Sequence, residues 1–99
     1  MVHHIVMWNL NDSLSTDEKK EAALEIKTRL EAVASQVEGV ISLTVEINEM
    51  SSSNKDIALI SCFESEEALQ AYQVSPAHKE AAGYVGSVTN GRSCFDYKE

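Results

Sequence analysis

The sequence predicts an α+β protein with one four-stranded antiparallel sheet and with helices on one face of that sheet. Four apolar runs of strand length alternate with two longer segments of helical periodicity, in the order β-α-β-β-α-β. This order is the ferredoxin-like arrangement. The 99 residues are enough for one domain, 1–99, and 43% of them are hydrophobic, which is sufficient for a buried core.

The first strand, Val2 to Leu10, is apolar on both faces near its middle. Alternation along a strand separates its side chains into two sets. One set is His4, Val6, Trp8 and Leu10, and the other is His3, Ile5, Met7 and Asn9. A strand with one solvated face should show one polar set. We therefore expect both faces to be covered.

The first helix is predicted to begin after Ser15, because Ser15 and Glu18 fit a capping box. Its apolar residues recur at helical spacing as far as Val37, and Gly39 is suited to end it. The stripe is typical of a helix face that packs on a core. Two strands follow, Val40 to Ile47 and Asp56 to Phe63, with a serine-rich loop between them.

A proline divides the second helical segment into two helices. Pro76 should end one helix near Val74 and occupy the first position of the next, with Ser75 as its N-cap. The break places Tyr72, in the last turn of one helix, close to His78, in the first turn of the other. A phenol and an imidazole at one corner are the only catalytic-looking pair in the sequence.

The last strand, Arg92 to Tyr97, is predicted to follow a turn at Asn90 and Gly91. With all helices on one face, the other face of the sheet would expose residues such as Ile5 and Met7. Apolar surfaces of this size usually mark an interface, and two sheets packed face to face about a twofold axis would cover it. The pattern therefore predicts a homodimer.

Composition excludes several classes of partner. The net charge of −8 argues against nucleic acids and anionic membrane surfaces, which attract basic proteins. No apolar run approaches the ~20 residues of a membrane span, and the N-terminus has no signal-peptide pattern. Cys62 and Cys94 show no metal-binding spacing and are expected to be buried free thiols. These features predict a cytoplasmic protein.

No metal site is predicted. His3 and His4 are adjacent on a strand and point to opposite faces, so they cannot chelate one ion. The sequence also contains no glycine-rich phosphate loop and no nucleophile motif.

Three stretches resemble the stress-responsive A/B barrel domain (Dabb) family. They are HHIVMWNL, DIALISCFESEEALQAYQVSPAHKEAAGYV and the closing FDY. The resemblance covers nearly the whole chain, and its most specific parts are the first-strand histidine and the tyrosine followed by a Pro-x-His turn. It implies a dimeric α+β barrel in which two ferredoxin-like sheets face each other with helices outside. Many members have no assigned activity, and some plant members are induced by stress.

The resemblance also implies a site. One plant branch contains a polyketide cyclase that performs an aldol condensation with a tyrosine and a histidine in a cavity between sheet and helices. Tyr72 and His78 match these two catalytic positions, and His4, Val6 and Trp8 would line the same ligand-binding cavity. Family members often have His-Pro-x-His at the turn. Ser75 replaces the first histidine here, so one imidazole is absent.

Each candidate residue also has a structural interpretation. His78 is either a general acid or base, or a first-turn residue that fixes the Pro76 turn. Tyr72 either polarises a carbonyl or packs as a half-buried helix end. His4 is either a pocket residue or a hydrogen-bonded core residue.

Three functions remain open at this stage. The first is binding of a small, mostly apolar carbonyl or aromatic ligand without turnover, in a stress-associated protein. The alternative is a cofactor-free, cyclase-like enzyme that uses the Tyr72 and His78 pair. The last is a haem- or oxygen-dependent monooxygenase of a related barrel type, for which scattered histidines are the only support.

Overall fold

A computed structural model describes all of residues 1–99. The elements in chain order are β1 (Val2–Leu10), α1 (Thr16–Ala34), β2 (Val40–Ile47), β3 (Ile57–Phe63), α2 (Glu66–Val74), α3 (Pro76–Val88) and β4 (Thr89–Lys98). The strands form one antiparallel sheet in the order β2-β3-β1-β4. The predicted ferredoxin-like α+β class is confirmed.

The core lies between the helices and one face of the sheet. Strand β1 is central, and its side chains alternate between buried and partly exposed along its whole length, as predicted. Fully buried side chains reach this layer from several elements: Ile26 of α1, Leu59 and Phe63 of β3, and Tyr72 of α2. Burial of each large apolar side chain contributes about 1.5–3 kcal/mol.

Helix α1 begins as predicted and ends earlier than predicted. The Ser15 hydroxyl accepts a hydrogen bond from the Glu18 amide, and the Glu18 carboxylate accepts one from the Ser15 amide. The helix ends at Ala34 rather than near Gly39, because the Ser35 hydroxyl donates back to the Ala32 carbonyl at 2.9 Å and the chain turns. Gly39 then adopts a φ of 87° just before β2.

The predicted turn at Asn90 and Gly91 is wrong. Strand β4 already begins at Thr89, and its pairing with β1 shifts register so that Gly91 and Arg92 lie opposite Trp8. This is a β-bulge, in which glycine supplies the positive φ of 64°. Asn-Gly forms a hairpin only when the two flanking strands pair with each other. Here a helix precedes it.

The prediction that both cysteines are buried is wrong for Cys94. Cys62 is buried, whereas Cys94 is exposed because β4 is an edge strand that the helices do not cover. The two thiols lie on opposite faces of the sheet, since Cys62 pairs with His3 and Cys94 pairs with Val6. Both are free.

The second face of the sheet is apolar, as the alternation predicted. In the single chain Ile60, Phe95 and Tyr97 are between 43% and 64% exposed on this face. Tyr97 stacks on His3 with ring centroids 4.5 Å apart. We call this surface the open face. Separately, no helix combines the length and hydrophobicity that a transmembrane span requires.

Candidate functional site

A cavity of about 220 Å³ lies between the sheet and the helices. All five sequence-predicted site residues line it: His4, Val6, Trp8, Tyr72 and His78. Two wider depressions of about 480 and 570 Å³ lie against the loop before β3 and beside α1, and neither is lined by a histidine or cysteine. The smaller cavity is therefore where the chemically versatile side chains converge.

The proline corner fixes Tyr72 and His78 relative to each other. The Ser75 hydroxyl donates to the Tyr72 carbonyl at 2.8 Å and accepts from the His78 amide at 3.2 Å. The two rings lie 4.5 Å apart between centroids, with an interplanar angle of 58°. Ser75 thus ties the end of α2 to the start of α3, and the adjacency predicted from the Pro76 break is confirmed.

Tyr72 is a buried phenol. Its side chain is 1% exposed and packs on Phe63 with ring centroids 5.0 Å apart. Burial raises the pKa of Tyr72 to about 12, because the phenolate would lose its hydration. At neutral pH Tyr72 is therefore protonated and can donate a hydrogen bond to a ligand oxygen.

The buried phenol should make stability fall at alkaline pH. In the unfolded chain a tyrosine ionises near pH 10, whereas folded Tyr72 resists ionisation until about pH 12. Its contribution is present below pH 10 and is lost as pH rises through about 12. Over this window the wild type should lose about 2–3 kcal/mol relative to Tyr72→Phe in denaturant unfolding. Tyr84→Phe, which removes a phenol outside the cavity, is the control; equal losses in wild type and Tyr72→Phe would contradict the assignment.

His78 is a neutral imidazole with one unsatisfied nitrogen. Burial lowers the pKa of His78, and the nearby His4 and Arg92 lower it further, while the Gln73 carbonyl acts in the opposite direction. No hydrogen bond of normal geometry satisfies its buried Nδ1. Buried polar atoms without partners are rare in folded proteins. The neutral ring can accept a proton or pair with a ligand.

His4 has a partner that the sequence did not reveal. Its Nδ1 lies 2.5 Å from Oδ1 of Asp96, the residue opposite it on β4, and the His4 side chain is 3% exposed. A proton on Nδ1 donated to this carboxylate leaves Nε2 as an acceptor. Asp96 thus orients His4 in the cavity wall. Identifying this partner requires the register between the first and last strands, which the structure supplies.

One group of side chains could hold a metal ion. His4, Cys94 and Asp96 each offer a ligand atom within 4.8 Å of the others. However, burial and Asp96 raise the pKa of the Cys94 thiol, and the thiolate is the form that binds metal. The hydrogen bond between His4 and Asp96 would also have to break. The group is better described as a support for His4.

Arg92 also lines the cavity and was not identified from the sequence. The bulge in β4 brings it to the cavity, within electrostatic reach of His78 and beside Cys94. Asparagine and glycine before it predicted a turn rather than a bulge, so its side-chain direction could not be derived.

Comparison with known proteins identifies relatives in fold and family. The family model described as Stress responsive A/B Barrel Domain matches residues 2–99. A dimeric protein of unknown function from Bacteroides fragilis is 26% identical with a TM-score of 0.92, covering 99% of this chain and 95% of that chain. No protein of curated function is significantly similar in sequence.

Two further solved structures share the fold at lower identity. A Dabb family protein from Mesorhizobium loti is 16% identical with a TM-score of 0.75, covering 99% of this chain and 95% of that one. The hydroxynitrile lyase from Passiflora edulis is also 16% identical, with a TM-score of 0.79, covering 97% of this chain and 90% of that one. At this identity the likeness concerns the fold alone.

Proposed function

The chain belongs to the stress responsive A/B barrel domain family, and from this premise we propose that it is a homodimer that binds a small, mostly apolar ligand in the cavity between sheet and helices. The observation that carries the proposal is that Tyr72 and His78, held together at the proline corner, both line that cavity. Two polar rings in an otherwise largely apolar wall can form hydrogen bonds with one polar group of a bound ligand.

The cavity constrains the ligand by size and polarity. Its volume of about 220 Å³ is below the 300–1,000 Å³ typical of sites for drug-sized molecules. Its walls include Val6, Trp8 and Leu59, which favour an apolar body. Tyr72 and His78 would form hydrogen bonds with a polar group at one end of the ligand. A small aromatic or carbonyl compound fits these requirements, and the site needs no cofactor to bind it.

The open face supports the homodimer. Its exposed aromatic and aliphatic side chains would be covered by a second copy, and the Bacteroides fragilis protein is described as dimeric. The free thiols of Cys62 and Cys94 support a reducing compartment, and we place the protein in the cytoplasm. A stress-associated role is part of the same proposal, and the description of the family model is its only support.

Binding should depend on the imidazole of His78. We expect His78→Phe, which keeps a ring of similar size beside Tyr72, to weaken binding of phenolic and aryl-ketone ligands about tenfold, because the ligand loses its hydrogen bond to the imidazole. Isothermal titration with a panel of such compounds measures the change. Circular dichroism and sedimentation of the variant show whether its fold and assembly are intact.

His3→Phe is the matched control for this experiment. This variant also replaces a histidine by phenylalanine, and the new ring can still stack on Tyr97. His3 does not line the cavity. Its ligand affinity should equal that of the wild type. If no compound in the panel binds the wild type, or if both variants bind equally well, the cavity is not the ligand site.

A second candidate function is proton transfer at a carbonyl compound. Tyr72 is held protonated and His78 neutral, and their rings are 4.5 Å apart. His78 would remove a proton from carbon between two carbonyls, while the Tyr72 hydroxyl donates a hydrogen bond to the enolate oxygen that forms. The Passiflora edulis protein named as a hydroxynitrile lyase has the same fold.

An exchange experiment in deuterated water distinguishes the two candidate functions. An enzyme would exchange the acidic carbon-bound protons of a small 1,3-diketone for deuterium faster than buffer does, and both His78→Phe and Tyr72→Phe would lose that rate. Proton nuclear magnetic resonance follows the loss of signal. Exchange no faster than buffer, together with tight binding, leaves the protein as a binder.

A further inference from the structure

Arg92 is the one lysine or arginine among the residues that line the cavity. The chain has 16 acidic and 8 basic side chains, and four of the eight lysines and arginines take part in ion pairs. The other arginine, Arg29, is paired with Glu25 at 2.7 Å. Arg92 takes part in none of the six ion pairs of the chain. An unpaired guanidinium therefore borders the cavity.

The backbone directs Arg92 to this place. Gly91 and Arg92 form the bulge opposite Trp8, and Trp8 itself lines the cavity. Bulges change the direction in which a strand residue points and are frequent beside binding sites. The bulge is anchored by the Lys55 ammonium group, which donates to the Gly91 carbonyl at 2.5 Å.

The other charges near the cavity leave this guanidinium without an anion. Asp96 lies beside the Cys94 thiol, as Arg92 does, but its carboxylate accepts from the His4 imidazole at 2.5 Å and forms no ion pair with Arg92. Burial and the positive charge of Arg92 both lower the pKa of His78, and Arg92 itself lines this part of the wall. A bound anion would be attracted there, in contrast to the rest of a chain with a net charge of −8.

We propose that the ligand is a small monocarboxylate with an apolar body, and that Arg92 binds its carboxylate; this inference rests on the proposed function of the cavity. A planar guanidinium matches a carboxylate with two parallel hydrogen bonds. Arg92 is the one lysine or arginine in the cavity wall of a chain with net charge −8, so it favours a ligand with one carboxylate over a ligand with two or more. Val6, Leu59 and Val85 contact the body of the ligand.

A pair of nearly isosteric probes tests the inference. Benzoate and benzamide differ mainly in the charge of the polar group. We expect the wild type to bind benzoate about tenfold or more tightly than benzamide in isothermal titration, because charge-assisted hydrogen bonds are the stronger ones. Arg92→Gln should abolish this preference, and Arg92→Lys should restore part of it. Arg92 is exposed, so these variants should fold.

Lys98→Gln is the matched control. Lys98 lies on the same strand, pairs with Glu66 and does not line the cavity, so this variant changes the net charge equally and should keep the benzoate preference. Equal loss in Arg92→Gln and Lys98→Gln would overturn the inference, because overall charge would then explain the preference.

The remaining outcomes separate this inference from the proposed function. If wild type binds benzamide as tightly as benzoate, with both shifting the His78 resonances, the cavity binds ligands but Arg92 selects no carboxylate. Absence of benzoate binding also overturns the inference. The proposed function fails if the neutral phenolic and aryl-ketone panel is not bound either, or if His78→Phe and His3→Phe bind that panel equally well.

Discussion

Gly39→Ala should destabilise the protein by about 3 kcal/mol, which lowers the melting temperature by at least about 10 °C in a domain of this size. Gly39 has a φ of 87°, in the region that residues with a Cβ rarely adopt. A Cβ built at this position would also lie 2.6 Å from the Cβ of Ala68 in α2. The start of β2 and the α2 backbone would have to separate.

Gly83→Ala provides the control. Gly83 lies in α3, has no atom within 4 Å of a built Cβ, and has helical geometry. Alanine there should raise stability by up to about 1 kcal/mol through helix propensity. Thermal unfolding of both variants at equal protein concentration measures the contrast, since dimerisation also affects the melting temperature. A Gly39→Ala variant that melts with the wild type would show that the turn before β2 differs from the one described.

Phe95→Asp should dissociate the proposed homodimer. Phe95 is 64% exposed in the single chain and lies on the open face next to Tyr97. The substitution would place one carboxylate per subunit in an apolar interface, where an unpaired charge is strongly unfavourable. We expect the dimer dissociation constant to rise at least about a thousandfold. Sedimentation equilibrium across a concentration series measures it.

Leu24→Asp is the control for this prediction. Leu24 is 61% exposed on helix α1, and the substitution adds the same charge on the helix side of the molecule. The variant should sediment as the wild type does. If Leu24→Asp dissociates and Phe95→Asp does not, the subunits associate through helices rather than through the open face.

Most of the fold could be predicted because the local and long-range signals agree. The capping box at Ser15 and the proline at position 76 each specify a helix boundary by hydrogen bonding or sterics, independent of the rest of the chain. The alternation in β1 identified the buried set correctly. The end of α1 was harder, because Val37 continues the helical spacing although it packs on the core from a turn.

The candidate site was only half predictable. Tyr72 and His78 are six residues apart, so a local break was enough to bring them together. Pairing of the last strand with the first brings Arg92 to the cavity and Asp96 to His4, and that register depends on the bulge at Gly91. The exposure of Cys94 follows from the edge position of β4, which depends on strand order. Neither the strand register nor the strand order can be read from a local pattern in one sequence.

The alternation of β1 has a consequence for how this chain can evolve. His4, Val6 and Trp8 line the cavity, whereas the odd-numbered residues of the strand lie on the open face, on the other side of the same sheet. Under the proposed function, a substitution in one set would change ligand choice and leave the subunit contact intact. Loss or gain of one codon within the strand would exchange the two sets, since a slip by one residue inverts every side chain. Natural length variation should be confined to the loops.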